Sequence, residues 1–254
     1  MNKLPISVCI ISSAEVRRIG KCLASVTDWA SEIIVVLNDG ITDGTDQVVL
    51  SFGGKLFREP WRGFVAQKNS AFAKAGQPWV LGLDADEAVS PELRAEIARL
   101  FEGNANYCAY SFPRCSFYLG RWIRHGEWYP DRCARLARRD KARWVGMDPH
   151  GRLQIDGAVG KLRGELLHYT SEGLNQQVAK AVAYADEFAR QCQAAGREIR
   201  SVDLVFRPPW RFVRGYILRG GFLDGWPGFT IAWMTAFYTF LRYSRAREAR
   251  RKPA

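Results

Sequence analysis

The N-terminal part of the chain alternates between runs of apolar residues and segments with helical spacing. The apolar runs predict strands over Ile6–Ser12, Glu32–Asp39, Lys55–Pro60 and Trp79–Glu87. Helices are predicted over Glu15–Val26, Thr45–Gly53 and Phe64–Gly76, and another begins at Ser90-Pro91-Glu92. Continuous apolar strands that alternate with helices are typical of a parallel sheet covered on both faces. The pattern therefore predicts an α/β fold whose ligand binds beyond the carboxyl ends of the strands.

The central region has a different pattern. Tyr107–Gly146 is rich in aromatic residues, arginine and turn residues, and predicts strands and loops that complete the sheet. Gly151–Thr170 predicts a hairpin that turns at Asp156-Gly157, a common turn pair. Glu172–Gly196 predicts a long amphipathic helix that ends at Gly196. We expect the apolar stripe of this helix to pack into the core rather than into a groove of a partner.

The last fifth of the chain carries most of the net positive charge. The chain has a net charge of +11, and Arg207–Lys252 holds ten Lys or Arg against two acids, a net charge of +8. The aromatic, apolar stretch Trp226–Leu241 lies within this basic segment and is too short to span a bilayer comfortably. Basic flanks with Trp, Phe and Tyr predict a segment that lies at the headgroup level of an anionic membrane. A buried core helix is the alternative.

Composition places the chain among packed globular proteins. It is 47% hydrophobic over 254 residues, enough for one large domain or for a domain with an appendage. None of the six cysteines belongs to a CxxC pair, so neither a zinc site nor a disulfide framework is predicted, and a reducing compartment is favoured. The N-terminal stretch predicts a first strand rather than a signal peptide.

Three acidic residues follow the fourth apolar run within four positions: Asp84, Asp86 and Glu87. Carboxylates this close repel one another, so a positive charge is expected beside them. An Asp-x-Asp pair at a strand end suits a hard divalent cation such as Mg²⁺ or Mn²⁺, which takes oxygen ligands and can bridge to a diphosphate. Asp39 follows the second strand at the same predicted edge, which favours the metal hypothesis over a solvated turn.

Several stretches together resemble one enzyme family. The resemblance to glycosyltransferase family 2 rests on "ISVCIISSAE", "EIIVVLNDGITDGT", "AQKNSAFAKAGQPWVLGLDADE" and "WYPDRCARLARR". Three further segments resemble one subgroup of this family, the lipopolysaccharide core glucosyltransferases named WaaE or KdtX. These segments are "GRWIRHGEWYPD", "LLHYTSEGLNQQVAKAVAYAD" and "GYILRGGFLDGWPGF". The resemblance runs from about Ile6 to Tyr243. It implies a GT-A fold, a nucleotide-sugar donor and inversion at the anomeric carbon.

The resemblance also implies donor-binding roles for individual residues. Glu15 would contact the nucleoside, and Asp39 would accept a hydrogen bond from the uracil ring. Lys68 and Asn69 would line the nucleotide pocket, where Lys68 can face the diphosphate as a point charge. Two of these residues have simpler alternatives, since Glu15 also suits a first helical turn and Lys68 also suits a solvated surface. Asp43 can cap the helix that begins near Thr45.

Within the acid cluster, the resemblance implies that Asp84 contacts the ribose or the metal and that Asp86 ligates the metal directly. The sequence departs from the family pattern at three places. Ala14 stands where asparagine is usual, Asn38 where aspartate is common, and His150-Gly151 where the subgroup often has His-Glu. The nucleoside contact is therefore expected to rest on Asp39 alone, and a different acceptor is expected if the absent glutamate binds it.

A catalytic base is expected in the second half of the chain. Inverting displacement needs a carboxylate or imidazole that takes the proton of the attacking hydroxyl, and metal-bound acids cannot do so because their lone pairs face the cation. Asp131 follows a proline and precedes an arginine-rich strand, where the resemblance places the base. His150 and Glu127 are the alternatives. Without a catalytic role, Asp131 would form an ion pair with Arg135 or Arg138.

These observations predict a metal-dependent, inverting glycosyltransferase in two parts. Residues 1–200 would form the GT-A domain, with a nucleotide-sugar half at 1–105 and an acceptor half at 106–200, and residues 201–254 would form a basic, helical, membrane-facing tail. The expected reaction moves a hexose, glucose from UDP-glucose, onto a heptose of the lipopolysaccharide inner core, at the cytoplasmic face of the bacterial inner membrane. The expected partners are the nucleotide sugar, a lipid-anchored oligosaccharide acceptor and an anionic membrane surface, with no nucleic acid.

Three other functions stay open at this point. A family 2 enzyme can act on another polysaccharide or on another lipid-linked acceptor. The net positive charge also suits a nucleic-acid-binding protein, whose binding would depend strongly on salt. A non-catalytic protein that binds sugar nucleotides is the third alternative, and it would require loss of the base.

Overall fold

Strands and helices alternate through the N-terminal half of the protein. The structure is a computed structural model that describes residues 3–103, 105–148, 151–170 and 173–251. The strands of this half are β1 (Leu4–Ser12), β2 (Ala30–Asn38), β3 (Lys55–Glu59), β4 (Trp79–Asp84) and β5 (Glu87–Val89). The helices are α1 (Ile19–Ala24), α2 (Thr45–Ser51), α3 (Phe64–Ala73) and α4 (Pro91–Glu102). The order of elements therefore follows the predicted one.

Two of these elements differ from their predicted lengths. The helix expected over Glu15–Val26 is shortened to α1, since the residues before Ile19 form a turn. The run expected as one strand over Trp79–Glu87 is divided into β4 and β5 by a turn at Ala85-Asp86. This turn lies inside the acid cluster and separates its members onto two elements.

Parallel strands form the centre of the main sheet. β1 lies between β2 and β4, and β3 pairs with the other edge of β2, all in parallel. Val8 lies level with Ile33 on one side and with Leu81 on the other. At the carboxyl edge, Ile11 of β1 pairs with Asp84 of β4. The topology thus brings the residues that follow β1 and β4 to one place.

Both faces of this parallel sheet are buried. On one face, Val8 and Ile10 pack in a core with residues of α1 and α4. On the other face, Cys9 and Ile11 pack in a second core with residues of α3. Neighbouring residues of a strand point to opposite faces, so a strand covered on both faces has to be apolar throughout. The α/β fold predicted from the apolar runs is confirmed.

Strands from the central region extend the sheet, as predicted. They are β6 (Ala109–Tyr118), β7 (Arg121–Ile123), β8 (Asp131–Arg138), β11 (Val159–Lys161) and β12 (Leu166–His168), whereas β9 (Ala142–Val145) and β10 (Arg152–Ile155) form a separate two-stranded sheet. β8 pairs antiparallel with both β4 and β6. β12 pairs antiparallel with β5, where His168 lies level with Glu87. These pairings place side chains of β8 and β12 next to the acid cluster.

The prediction of a hairpin over Gly151–Thr170 is wrong. The chain does turn at Asp156-Gly157, but the two arms of the turn join different strands. β10 pairs antiparallel with β9 in a separate two-stranded sheet, whereas β11 pairs parallel with β6 in the main sheet. A turn pair predicts a change of direction, but the partners of its two arms depend on strands that lie elsewhere in the sequence.

The chain divides into two compact units. The first unit holds the residues up to Arg114 together with Asp131–Tyr169, and the second holds Cys115–Pro130 together with the residues from Thr170 onward. The helices of the second unit are α5 (Leu174–Ala194), α6 (Ser201–Val205), α7 (Arg207–Val213) and α8 (Gly225–Arg251), with a π-helical turn at Arg214–Leu218. This division differs from the expected boundary at residue 200, and a separate membrane-facing tail stays a prediction.

α5 packs on α8 within the second unit. Ala189 of α5 belongs to a buried cluster with Tyr243 and Ala246 of α8. The apolar stripe of α5 therefore serves packing, as expected. Its first two members, Leu174 and Val178, are exposed. The buried part of the stripe begins later in the helix than its spacing predicts.

Candidate active site

A polar cavity of about 260 Å³ opens at the carboxyl edge of the parallel sheet, in the first unit. Its floor follows from the topology, because the residues after β1 and after β4 meet at this edge. Four of the residues predicted to bind the donor or the metal line it: Glu15, Lys68, Asp84 and Asp86. The remaining lining residues are Ile11, Ser12, Ser13, Trp61, Phe64, Ala85 and His168.

Asp84 lies between two cationic side chains. Lys68 Nζ is 2.7 Å from its Oδ1, and Arg135 Nη2 is 3.0 Å from its Oδ2. Burial by itself would raise the pKa of Asp84, but the charges of Arg135 and Lys68 outweigh burial and hold that pKa well below its usual range. Asp84 is therefore a carboxylate throughout the neutral range. Lys68 is neither solvated nor distant from the cluster, since it also lies 4.5 Å above the ring of Trp144.

Glu87 is the fully buried member of the acid cluster. Its Oε1 is 3.2 Å from Arg135 Nη2 and 3.4 Å from Arg114 Nη1, and its Oε2 accepts a hydrogen bond of 2.9 Å from the backbone N–H of Asp84. Glu87 also raises the pKa of both guanidinium groups against the opposing effect of their burial. The positive charge expected beside the acids is thus supplied, for Asp84 and Glu87, by the protein itself.

Asp86 occupies the turn between β4 and β5 and faces the cavity. Its Oδ2 is 3.3 Å from His168 Nε2 and 3.7 Å from Arg18 Nη1. Arg18 also pairs with Glu15 at 2.7 Å. Burial raises the pKa of Glu15, Arg18 opposes this rise, and Asp86 adds to it. Glu15, Arg18 and Asp86 therefore form one electrostatically linked group at the carboxyl edge of the sheet.

The donor set around Asp86 fits a hard divalent cation bound together with a phosphorylated ligand. Within the described residues, no group of three or more His, Cys, Asp and Glu side chains is arranged to hold a metal ion by itself. Asp86 and His168 offer an oxygen and an imidazole nitrogen at one side of an open cavity. Mg²⁺ usually keeps one or two carboxylates and takes its other ligands from phosphates and water. Asp84 is less available as a ligand, because both of its oxygens face cations.

Two predicted donor-binding residues lie outside the lining of this cavity. Asp39 follows β2 at the same edge and is exposed, with its backbone N–H bonded to the carbonyl of Glu59. Asn69 uses both ends of its amide on the backbone of Trp144, donating to the carbonyl and accepting from the N–H at 2.9 Å each. This contact fixes β9 against α3. The nucleotide-binding roles of Asp39 and Asn69 stay predictions.

Asp43 makes the local contacts expected of a residue before a helix. Its Oδ1 accepts hydrogen bonds from the backbone N–H of Thr45 at 3.0 Å and from the hydroxyl of Thr45 at 2.6 Å. The hydroxyl bond lowers the pKa of Asp43. Its Oδ2 accepts from the N–H of Val16 at 3.3 Å, which connects the start of α2 to the turn before α1.

Asp131 begins β8 and is half exposed. Its Oδ2 accepts from Arg114 Nη2 at 2.6 Å and from Arg114 Nε at 3.0 Å. The partner named in the alternative role of Asp131, Arg135 or Arg138, is wrong, because Arg114 lies directly opposite Asp131 on β6, whereas Arg135 turns to the acid cluster. Arg114 contacts Glu87 as well, so it links the predicted base to the acid cluster.

The alternatives to Asp131 lie elsewhere. Glu127 belongs to the second unit, where it pairs with Arg211 at 3.0 Å. His150 lies outside the described residues.

Sequence reasoning assigned no role in the site to Arg135 or His168, and it named Glu87 only as a member of the acid cluster. Arg135, Glu87 and His168 all contact the acids or line the cavity. The sequence gives no clear signal for Arg135, because it lies at a register shift in the pairing of β8 with β6. Glu87 and His168 are separated by some eighty positions and meet only because β5 and β12 pair.

Acids, a lysine and an arginine meet at the carboxyl edge of the parallel sheet, where α/β proteins bind their ligands. Residues 7–162 match the family model described as Glycosyl transferase family 2, and the chain belongs to this family. The family and the transferase activity predicted from the motifs are confirmed.

Two curated relatives cover nearly the whole chain. The lipopolysaccharide core biosynthesis glycosyltransferase LpsC of Rhizobium meliloti (strain 1021) is 33% identical over 246 residues, which cover 94% of this chain and 90% of that protein. The uncharacterized glycosyltransferase RT0209 of Rickettsia typhi (strain ATCC VR-144 / Wilmington) is 30% identical, over 96% of this chain and 87% of its own length.

Solved structures share the fold at low sequence identity. The mannosyltransferase PcManGT from Pyrobaculum calidifontis, solved with GDP-Man and Mn²⁺, matches with a TM-score of 0.54 at 14% identity, over 97% of this chain and 88% of that one. S. aureus TarS 1-349 in complex with UDP matches with a TM-score of 0.50 at 14% identity, over 99% and 91%. The predicted GT-A fold is confirmed.

Proposed function

We propose that the protein is an inverting, metal-dependent glycosyltransferase of lipopolysaccharide core assembly. It moves a hexose, glucose from UDP-glucose, onto a heptose of the inner core. The observation that carries this proposal is the cavity where Lys68, Asp84, Asp86 and His168 meet beyond β1 and β4. The similarity to LpsC along nearly the whole chain supports the choice of pathway.

Donor binding assigns a role to each side of this cavity. Lys68 faces the diphosphate, and it can exchange its contact with Asp84 for one with a phosphate oxygen. Glu15 lies where it can meet the nucleoside, and Asp84 meets the ribose. Asp86 and His168 would hold Mg²⁺ or Mn²⁺ together with the phosphates of the donor. The bound cation supplies charge neutralisation for the leaving diphosphate.

Asp131 is the general base of the proposed reaction. It takes the proton from the attacking acceptor hydroxyl, and its exposed carboxylate can be reached by a sugar. The two bonds from Arg114 hold the carboxylate in one orientation through a single oxygen, Oδ2. Oδ1 then stays available for the proton.

The second unit is proposed to lie on an anionic membrane surface at the cytoplasmic face. No helix in the described part of the chain is both long enough and apolar enough to cross a bilayer. The second unit nevertheless exposes large apolar side chains, among them Phe206, Leu218 and Trp226, each more than 60% exposed. Apolar side chains among arginines suit the headgroup region, where a lipid-anchored acceptor is also found.

A donor screen tests the proposed function. The protein is incubated with UDP-glucose, UDP-GlcNAc or GDP-mannose, with Mn²⁺ or with EDTA, and released nucleoside diphosphate is counted. We expect release from UDP-glucose that requires the cation and is lost in Asp86→Asn. Asp156→Asn is the matched control, since Asp156 is a highly exposed carboxylate of the same unit. Full release by Asp86→Asn in EDTA would contradict the metal role, and preference for another donor would change the proposed sugar.

A further inference from the structure

A second cavity, of about 320 Å³, lies wholly within the second unit. Its walls come from α5, α7, α8 and the segment before β8, and its volume lies in the range of small-ligand pockets. The lining residues that matter for its chemistry are Glu127, Trp128, Lys180, Tyr184, Arg211 and Tyr238. None of these residues belongs to the donor cavity.

Among the described residues, the positive charge around this cavity exceeds what the one acid of its lining, Glu127, needs. Glu127 has a nearly buried side chain and faces Arg211 at 3.0 Å and both Arg214 and Arg219 at 3.7 Å. One guanidinium is enough to neutralise one carboxylate, so the group keeps two surplus charges. The three arginines are still 34% to 43% exposed. A surplus of one sign beside a concave surface raises the local concentration of anions of the opposite sign.

Two further features indicate that these cationic side chains can bind an anionic ligand. Arg211 Nε is buried and has no hydrogen-bond partner within the described residues, although the same guanidinium pairs with Glu127 through Nη2. A buried donor without a partner is costly, and an anionic oxygen would satisfy it. Lys180 of α5 is the second cationic side chain that lines the cavity, beside Arg211, whereas Arg214 and Arg219 are placed near it through their ion pairs with Glu127.

The other walls suit a sugar ring. Trp128, Tyr184 and Tyr238 offer aromatic faces, against which the C–H groups of a pyranose can stack. Gln177 can donate from its amide nitrogen and Thr235 can accept at its hydroxyl oxygen, since Gln177 Oε1 accepts from Tyr118 and the Thr235 hydroxyl donates to the carbonyl of Ile231. Aromatic walls with a few polar groups favour a polar ring over a bare phosphate ion or an acyl chain.

The local backbone holds Glu127 in this place. The buried carboxylate of Asp224 accepts hydrogen bonds from the backbone N–H groups of Arg124 and His125 at 3.0 and 2.8 Å. The π-helical turn carries Arg214, and Arg219 follows it directly. Wide turns of this kind occur frequently at functional sites. Separate parts of the second unit therefore converge on one carboxylate.

We propose that this cavity binds an anionic sugar, a pyranose that carries a carboxylate or a phosphate, within the acceptor saccharide. That the sugar belongs to the acceptor rests on the proposed function, whereas the binding itself does not. The cationic side chains engage the anionic group, and the aromatic faces engage the ring. The alternative is a cluster of ion pairs that only stabilises the second unit.

Binding of small probes to the full-length protein, without donor, tests this inference. The probes are glucose 6-phosphate, glucuronate and neutral glucose, titrated by saturation-transfer NMR, and inorganic phosphate, which has no carbon-bound proton and is titrated as a competitor of the charged hexoses. We expect at least one of the two charged hexoses to bind about tenfold more tightly than glucose or phosphate, the effect of one charge-assisted contact. The preferred charged hexose identifies the anionic group. Equal affinity for glucose and the charged hexoses, or no binding by any probe, would overturn the proposal.

Matched variants locate the binding. Lys180→Gln removes a cation of the cavity and should weaken binding of the charged hexose about tenfold. Arg190→Gln removes a cation from the same helix outside the cavity and should change nothing. Lys68→Gln should also leave this binding intact. If Lys68→Gln abolishes binding of the charged hexose and Lys180→Gln does not change it, the hexose binds in the donor cavity and the proposal is refuted. A negative donor screen with retained hexose binding would instead count against the proposed function alone.

Discussion

Glu87 and Asp84 share one guanidinium, that of Arg135, whose side chain is only 7% exposed. Burial of an ionised carboxylate costs several kcal/mol unless the charge is paired. Arg114 completes the pairing of Glu87, and Lys68 completes that of Asp84. The carboxyl end of β4 is therefore organised before any ligand arrives. A diphosphate that enters the cavity competes with Asp84 for Lys68, which is the more accessible of its two partners.

Asp84 makes the stability of the protein depend on pH. Its pKa is lower in the folded state than in the unfolded chain, so its contribution is present above the ordinary carboxylate pKa of about 3.9 and is lost as pH falls toward the folded value. Asp84→Asn should lower the free energy of unfolding by about 1.5–3 kcal/mol at pH 7. Urea unfolding should find a smaller difference below about pH 4, where the wild-type contribution is being lost. An equal difference at both pH values, or a similar loss in Asp156→Asn, would contradict this account.

Asp131 provides a test of the base. Asp131→Asn keeps the shape of the side chain and removes its basicity, so turnover should fall by about 10²–10⁴-fold while donor binding survives. Steady-state transfer and UDP-glucose binding, measured on the same preparation, separate the two effects. Asp140→Asn, a carboxylate on the turn after β8, is the control. If turnover is unchanged in Asp131→Asn and abolished in His150→Ala, Asp131 is not the base.

The acids and the cations of the site differ in how well the sequence predicts them. Asp84 and Asp86 stand two positions apart after an apolar run, so the sequence displays them as a group. Arg114 and Arg135 come from β6 and β8, and their side chains reach the acids only through antiparallel pairing with partners distant in sequence. Local patterns therefore predict half of this site. The rest depends on strand register, which one sequence does not determine.

At the level of elements, predictions held where a strand is buried on both faces. β1 and β2 are apolar along most of their length, and only a strand position covered on both faces buries such runs. The region of β9 to β11 has short strands with mixed polarity, and there the predicted hairpin is wrong. Register is weakly specified in strands without one clearly apolar face, so the turn at Asp156-Gly157 did not determine the partners of its arms.

The beginning of α8 provides a test in which helix propensity and packing predict opposite signs. A Cβ on Gly228 would lie 1.9 Å from the carbonyl oxygen of Gly221, so the backbone would have to move. Propensity alone predicts that Gly228→Ala stabilises the helix by about 0.5–1 kcal/mol. We expect destabilisation by about 1–3 kcal/mol instead, the usual cost of overpacking. Thermal unfolding decides the sign, with Gly173→Ala as the control, since a Cβ there meets no atom within 4 Å.

On the scale of the whole molecule, positive charge has two distinct uses. In the first unit, Lys68, Arg114 and Arg135 compensate acids of the same unit. In the second unit, three arginines surround the single carboxylate of Glu127 and leave a surplus. Net charge alone, +11, predicts an anionic partner but does not separate these uses. The surplus in the second unit is the part available to anionic sugars or lipid headgroups.

Vesicle flotation tests whether the second unit binds membranes. The intact protein should float with phosphatidylglycerol vesicles at low salt and be partly released at high salt, since each basic residue near an anionic surface contributes on the order of 1 kcal/mol. Deletion of α8 is a poor test, because α8 buries Tyr243 and Ala246 in the core of the second unit.

Two exposed leucines give a sharper comparison. Leu218 is 64% exposed in the second unit, and Leu50 is 58% exposed on α2 of the first unit. If the apolar side chains of the second unit enter the headgroup region, Leu218→Ser should weaken vesicle binding by about tenfold, because insertion of a leucine side chain gains about 1.5–3 kcal/mol. Leu50→Ser should leave binding unchanged. Equal effects of the two substitutions, or no flotation of the intact protein at low salt, would refute membrane binding through the second unit and leave its surplus charge to soluble anionic sugars.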